Sequence, residues 1–466
     1  MTGSLQNTIV EALKPFAPLF DAFQNAGFQL YAVGGCVRDW VLGKCPKDID
    51  FTTDAVPEQT KQVLADNGYR VFPIGELFGT IATVIGRKNY EITTFRVKES
   101  YTRGSRHPIV CYGRELERDL ERRDLTINAM AADQHGHIID PFDGLGDLEK
   151  HILRVPRSSY AQSLEIFGDD PLRMLRLARF KARLQFDAAD EATQAAKDMA
   201  GAILSVSHER WFSEIDGLLR APSPKDGISW LMETGVWQLI FPEMVPMPQY
   251  CRTAVSLSGQ PLLAEGADLM TQTLDLLKAA ATQNPTPDES GILWAALCHH
   301  LGTPTAIHGE WTAKVTDMLA HQVMQRLKVS NAHAETVTKL LTLLPNGEPT
   351  YRKARELVIS LHKHFHMWCS FQRARLSILY PTAQQAEAER LDRWLTAMSE
   401  WSHAPETAEI QLPRTLSQAL TQNLGVRGKT LGLCITMCRE AILDEHIRED
   451  AALETFVTWV KDHFSA

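Results

Sequence analysis

The sequence predicts an α+β protein: a small α/β head followed by an all-helical neck, body and tail. Three observations carry that class. Between Phe28 and about Asp143, short runs of β-type residues alternate with Gly, Asp and Asn turns. Past about residue 155 those signals stop, and apolar residues recur at helical spacing. Hydrophobic residues make up 44% and charged residues 23% of the 466, which excludes a disordered chain, a collagen-like fibre and a coiled-coil rod.

Taken in order, residues 1–27 read as an amphipathic helix, with Ile9, Leu13, Phe16 and Phe20 near helical spacing. Strands are expected at 28–33, 48–52, 79–85 and 90–95, the last two joined by a turn at 86–89. Short helices are expected at 36–42, ended by Gly43, and at 57–67, opened by Pro57. Helices follow at 170–184, 189–205, 211–219, 227–235, 267–281 and 291–301, and the same periodicity covers most of the remainder. The pattern divides the chain into an N-terminal helix (1–27), a head (28–155), a neck (156–245), a body (246–350) and a tail (351–466).

Charge and cysteine content narrow the setting. A net charge of −9 removes any uniform attraction to nucleic acid, so RNA contacts must come from clustered arginines. No apolar stretch approaches the roughly 20 residues needed to cross a bilayer, and the N-terminal residues lack the pattern of a signal peptide. Eight cysteines without a Cys-x-x-Cys pair do not make a disulfide scaffold. A cytoplasmic protein with no membrane partner is expected, and no motif assigns an oligomeric state.

The sharpest signal is Gly34-Gly35-Cys36-Val37-Arg38-Asp39 followed by Asp48-Ile49-Asp50. On a strand, Asp48 and Asp50 project to the same face, about 7 Å apart. Two carboxylates so placed repel unless a cation lies between them, and Mg²⁺ typically takes one or two carboxylates plus substrate phosphates. The Gly34-Gly35 turn lets backbone N–H groups approach a phosphate, and Arg38 can add a charged contact. Glu91 supplies a third carboxylate if its strand lies beside that of Asp48 and Asp50.

Two arginine motifs follow. Arg122-Arg123-Asp124-Leu-Thr126-Ile-Asn128-Ala129 taken alone is the pattern of a salt-bridged surface. In Asp169-Asp170-Pro171-Leu172-Arg173, Asp170 reads as a helix N-cap and Pro171 as the first helical residue. Arg173, Arg176, Arg179 and Arg183 then fall within an arc of about 120°, with Met174, Leu175, Leu177 and Ala178 opposite. One face packs while the other is a basic stripe suited to phosphates.

Together these motifs resemble the polymerase-β-type nucleotidyltransferases, and within them the group of tRNA nucleotidyltransferases (CCA-adding enzymes) and bacterial poly(A) polymerases. The resemblance implies a nucleotidyltransferase head in which Asp48 and Asp50 hold two Mg²⁺ ions. It implies that Gly34, Gly35, Arg38, Arg123, Arg176 and Arg179 bind the nucleotide, and that Asp124 and Asn128 support its sugar and triphosphate. Asp170 and Arg173 would read the Watson–Crick edge of CTP or ATP as a protein template; this chain has Asp169 where the family usually has Glu. The segment from Arg96 to Arg114 matches a loop that aids the switch from CTP to ATP in that group.

The implied reaction adds or repairs the 3′-terminal CCA of tRNA. Poly(A) addition, CC-only or A-only addition remain open on these motifs, and a non-catalytic RNA-binding protein is the alternative of another class. Relatives often carry a metal-dependent HD phosphohydrolase domain in the body. Here His300 stands at the Asp position and 266–271 lacks the matching His, so a silent scaffold is expected. His362, His366 and Cys369, spaced i, i+4, i+7 on an expected helix, read as ordinary histidines and a thiol rather than a zinc site. From Asp444 onward six acids stand against Arg448 and Lys461, unlike the basic extension that often ends a poly(A) polymerase.

Overall fold

Two helices open the chain, α1 (Thr2–Leu13) and α2 (Ala17–Asn25), with a 3₁₀ turn at Lys14–Phe16 between them. The expected single helix is interrupted there because Pro15 has no N–H to continue the ladder. Ile9, Leu13, Phe16 and Phe20 are all buried, as their spacing demands. The computed structural model describes residues 2–73, 75–101, 108–157, 159–249, 251–255, 261–284, 289–303, 313–345, 347–379 and 381–464. It falls into two units, Met1–Pro242 and Glu243–Ala466.

The first unit is built on a seven-stranded mixed sheet. Its strands are β1 (Leu30–Val33), β2 (Asp50–Thr53), β3 (Val71–Phe72), β4 (Thr80–Ile85), β5 (Lys88–Thr94), β8 (Ala131–Ala132) and β9 (Ile138–Ile139), in the order β3-β4-β5-β2-β1-β8-β9. Strands β6 (Arg96–Tyr101) and β7 (Pro108–Tyr112) form a separate hairpin. That hairpin occupies the segment expected as a loop, and residues 102–107 of it lie outside the described ones. Within the large sheet only β2 and β5 run parallel, with Phe51 opposite Ile92 and Thr52 opposite Thr93. Between the strands lie α3 (Gly35–Val41), α4 (Pro57–Asp66), α5 (Leu116–Glu121) and α6 (Gly144–Lys150).

Helices α7 (Tyr160–Asp169), α8 (Leu172–Leu184), α9 (Asp190–Met199), α10 (His208–Leu219), α11 (Pro224–Glu233) and α12 (Val236–Ile240) complete this unit. On α8, Met174, Leu175, Leu177 and Ala178 are at most 1% exposed, so the apolar half of the stripe does face the interior. The start of α8 differs by one residue from expectation: Pro171 is the N-cap, and the Asp170 carboxylate accepts from the Leu172 N–H at 3.2 Å.

The neck is not wholly helical. Its two-residue strand β11 (Asp187–Ala188) pairs in parallel with β10 (Ile152–Leu153) at the end of the head, both too short to leave an alternation in the sequence. In the second unit β12 (Cys251–Val255) and β13 (Pro261–Asp268) form a hairpin, a departure from the all-helical body expected. The rest is helical: α13 (Leu269–Gln283), α14 (Gly291–Cys298), α15 (Ala313–Arg326), α16 (Asn331–Thr342), α17 (Tyr351–Leu361), α18 (Phe365–Ser377), α19 (Pro381–Ala397), α20 (Leu416–Leu424), α21 (Gly428–Leu443) and α22 (Leu453–His463). Every residue of α14 is buried, which explains its uniformly apolar sequence. Leu416, Leu420, Cys434, Cys438, Phe456 and Val460 make a separate core for the last three helices.

His299 and His300 follow α14 and are buried like it. Burial and the Arg375 guanidinium hold both well below the ordinary histidine range, His300 at about 3. His300 Nδ1 lies 2.9 Å from Thr273 Oγ1. A neutral ring beside a buried guanidinium does not supply the anionic ligand that a metal-dependent hydrolase needs. His362, His366 and Cys369 do not share one helix face as their spacing suggested: His362 ends α17 with a φ of +48°, and α18 starts only at Phe365.

Candidate active site

The head carboxylates are placed by β2 and β5. Strand β2 begins at Asp50, so Asp48 lies just before it rather than within it, a difference from the expected 48–52. Phe51 and Ile92 are fully buried partners, which puts the preceding residues, Asp50 and Glu91, level with each other on the opposite face. The condition set for Glu91 is thus met. Burial, then the Glu91 charge, raises the Asp50 carboxyl above its ordinary pKa, with Asp48 adding to the rise and the Arg123 guanidinium opposing it. Among the described residues no three His, Cys, Asp or Glu groups converge as a ready-made metal cage. The donor set nonetheless fits a hard divalent cation, because mutually repelling carboxylates gain most from one and Mg²⁺ completes its shell with phosphates and water.

Gly34 turns the chain between β1 and α3 with φ +80° and ψ −124°, a conformation open to glycine alone. Its N–H donates to the Met130 carbonyl at 2.9 Å. A Cβ here would stand 2.9 Å from Arg123 Nη1, so the glycine also makes room for that guanidinium. Gly34→Ala is expected to combine backbone strain of about 1–3 kcal/mol with displacement of Arg123. Nucleotide titration should show a KM raised about tenfold or more; an unchanged KM would remove the glycine from the site.

Behind the turn, charged side chains are tied into a chain. Arg38 is 3% exposed; its Nη1 donates to Asn128 Oδ1 at 2.6 Å, and its Nε and Nη2 donate to Asp39 Oδ1 at 2.9 and 2.7 Å. Its guanidinium also lies over the Phe180 ring at 5.4 Å. Arg38 is thus buried and braces the turn through these contacts. Asn128 Nδ2 donates to Asp124 Oδ1 at 3.2 Å, and Arg176 Nε donates to Asp124 Oδ2 at 2.8 Å. Burial would raise the Asp124 carboxyl, but Arg176 and Asn128 outweigh it and hold the group at about 2.

A second buried carboxylate, Asp119, escaped the sequence-based list of site residues. It is fully buried and takes Arg122 on Oδ1 at 2.8 Å and Arg123 on Oδ2 at 3.1 Å. The Arg96 backbone N–H donates to Oδ1 as well, at 3.1 Å. Burial pushes this carboxyl up, yet Arg122 and Arg123 bring it to about 2. Its spacing from them, i+3 and i+4 from α5, was the available signal.

Most of these groups line one cavity of about 560 Å³; Asp39, Asp48 and Asp119 are not among its lining residues. The head contributes Gly34, Gly35, Arg38, Asp50, Glu91, Arg123, Asp124 and Asn128; the neck contributes Asp170, Arg173, Arg176, Phe180, Arg183 and Arg210. Carboxylates thus stand at one side and an arginine-studded helix at another. Arg179, expected to touch nucleotide, is not among the lining residues: its Nε lies 3.1 Å from Glu214 Oε2. Arg183, Arg210 and Glu214 were not among the expected residues, the last two because their partners, between α7 and α8 and on α8, lie tens of residues away.

The fold and this site define a nucleotidyltransferase of the polymerase-β type. Residues 30–154 match the family model described as Poly A polymerase head domain, and residues 185–247 the one described as Probable RNA and SrmB- binding site of polymerase A. A CCA-adding enzyme of Streptococcus pneumoniae is 32% identical over 74% of this chain and 75% of its own length. That of Streptococcus sanguinis is 37% identical over 50% of this chain and 56% of its own length. The solved structure of the Bacillus stearothermophilus CCA-adding enzyme in complex with CTP aligns over 96% of this chain and 97% of that one, with a TM-score of 0.66 at 24% identity, a likeness of fold. The chain belongs to the CCA-adding enzyme family. No helix among the described residues is long and apolar enough to cross a membrane.

Proposed function

We propose that this enzyme adds or repairs the 3′-terminal CCA of tRNA using CTP and ATP, releasing pyrophosphate. The observation that carries the reading is the single cavity in which the Asp50 and Glu91 carboxylates meet the arginines of α8. Asp48 and Asp50 would hold Mg²⁺, and the bound cation supplies the charge that acidifies a hydroxyl and steadies a leaving pyrophosphate. Arg123, standing between the carboxylates and the Gly34 turn, takes phosphate oxygens with a planar fork. Arg176, fixed on one side by Asp124, presents its remaining donors to the cavity. Gly34 and Gly35 keep the backbone near the triphosphate, and Asn128 supports the sugar.

Asp170 and Arg173 choose the base. A carboxylate accepts from an exocyclic amine and a guanidinium donates to a ring acceptor, a pairing that cytosine and adenine satisfy and that uracil and guanine do not. Arg179 acts from behind, through Glu214. The functional division follows the five segments: catalysis in the head (28–155), base choice in the neck (156–245), and RNA binding extending to the tail (351–466). Seven described cysteines, all free thiols, suit a cytoplasmic setting.

Incubating tRNA that ends before CCA, after the first C and after the second C with each nucleotide separately tests this. CMP incorporation on the first two and AMP on the third, all dependent on Mg²⁺, is the expected result. Long A tails, or no incorporation on any substrate, would overturn it.

A further inference from the structure

Helix α10 carries Arg210 and Glu214 one turn apart, so both side chains project toward the same flank. Glu214 is 6% exposed and lies 3.7 Å from Arg176 and 3.1 Å from Arg179. Arg210 Nη2 donates to Asp170 Oδ2 at 2.6 Å. The other oxygen of that carboxylate accepts the Leu172 N–H at 3.2 Å. Both oxygens of Asp170 are therefore tied, one by backbone and one by a residue from a helix forty positions away.

We infer that Arg210 is a specificity-determining positioning residue, which fixes the plane of the Asp170 carboxylate against the nucleobase. The inference rests on the proposed role of Asp170 and deepens it. The terminal torsion of an aspartate is broad and shallow, so a carboxylate held at one oxygen alone can swing. Swinging weakens the bond to an exocyclic amine and softens the penalty against a carbonyl in the same place, because discrimination depends on groups that cannot rearrange. Arg210 removes that freedom while leaving a lone pair on each oxygen free. Glu214 stands against Arg176 and Arg179, so one face of α10 meets the charged side chains at the start of α8 and along it.

The test compares kcat/KM for CTP, UTP, ATP and GTP in the wild type, Arg210→Met, Arg210→Lys, Asp170→Ala and the double variant Arg210→Met with Asp170→Ala. Wild-type preference for CTP and ATP checks the underlying reading separately; without that preference the function is wrong before Arg210 is addressed. Given it, Arg210→Met is expected to lower the CTP/UTP and ATP/GTP ratios about tenfold or more, the worth of a charged hydrogen bond. Arg210→Lys should restore part of that loss, and in the Asp170→Ala background Arg210→Met should change the ratios no further. An equal loss for all four nucleotides would make Arg210 a phosphate contact. A lowered unfolding temperature with unchanged ratios would make it a scaffold residue; either outcome overturns the inference.

Discussion

Asp48→Ala combined with Asp50→Ala is expected to abolish nucleotide transfer while leaving a folded protein that still binds CTP weakly. Removing the carboxylates that would anchor a catalytic cation takes away several kcal/mol of transition-state stabilisation, so the rate should fall by roughly 10³-fold or more. Stability should hold or rise slightly. Asp50 is raised above its ordinary pKa by burial and by Glu91, so without a cation the charged carboxylate is a liability to the fold. Single-turnover transfer and thermal unfolding on one preparation check both parts. Transfer at a wild-type rate by the folded double variant would sink the metal assignment.

Asp124→Ala should be the most damaging single change to stability in the head. It strips a buried partner from Arg176 and Asn128, at a cost of about 3–5 kcal/mol. Over a unit of this size that corresponds to a melting temperature lower by about 8 °C or more. Acid titration gives a separate reading of the same network. Asp119 and Asp124 are both held at about 2, against an ordinary 3.8. Carboxyls depressed by folding stabilise the native state above their unfolded pKa and lose that contribution as pH falls through the folded value. The contribution of these two carboxyls should therefore stay level from neutral pH down to about 5, then drop between roughly pH 4 and 2 by about 2 kcal/mol for each group, on top of the earlier loss, beginning near pH 6.5, that the buried neutral His299 and His300 bring. In Asp124→Asn the drop should be smaller by that residue's share; a slope identical to wild type would show the ion pair to be idle.

Much of the site was legible because its signals are local. The alternation in β2, the Gly34-Gly35 turn and the 3.6-residue stripe on α8 are short-range patterns, and each positions side chains where they are needed. The family motifs then supplied roles that spacing alone could not. Illegible from sequence were the contacts that close over distance. Arg210 on Asp170 and Glu214 on Arg179 join helices that no periodicity links. Arg179 shows the limit from the other side: it belongs to the basic stripe by angle, yet the acid of α10 turns it from the cavity. Strands β8 to β11 were missed because a two-residue strand makes too short an alternation to read, while β6–β7 fell in a segment that the family resemblance presented as a loop. Asp48 preceding β2, rather than lying in it, is the kind of boundary error such short strands invite.

The walls of the cavity are laced to each other. Arg38 lies over the Phe180 ring, and Asp124 is clasped by Arg176, so head and neck meet through a cation on a ring and a buried carboxylate. Parting them would strand that carboxylate without its counter-charge. The two walls should therefore melt together rather than in turn.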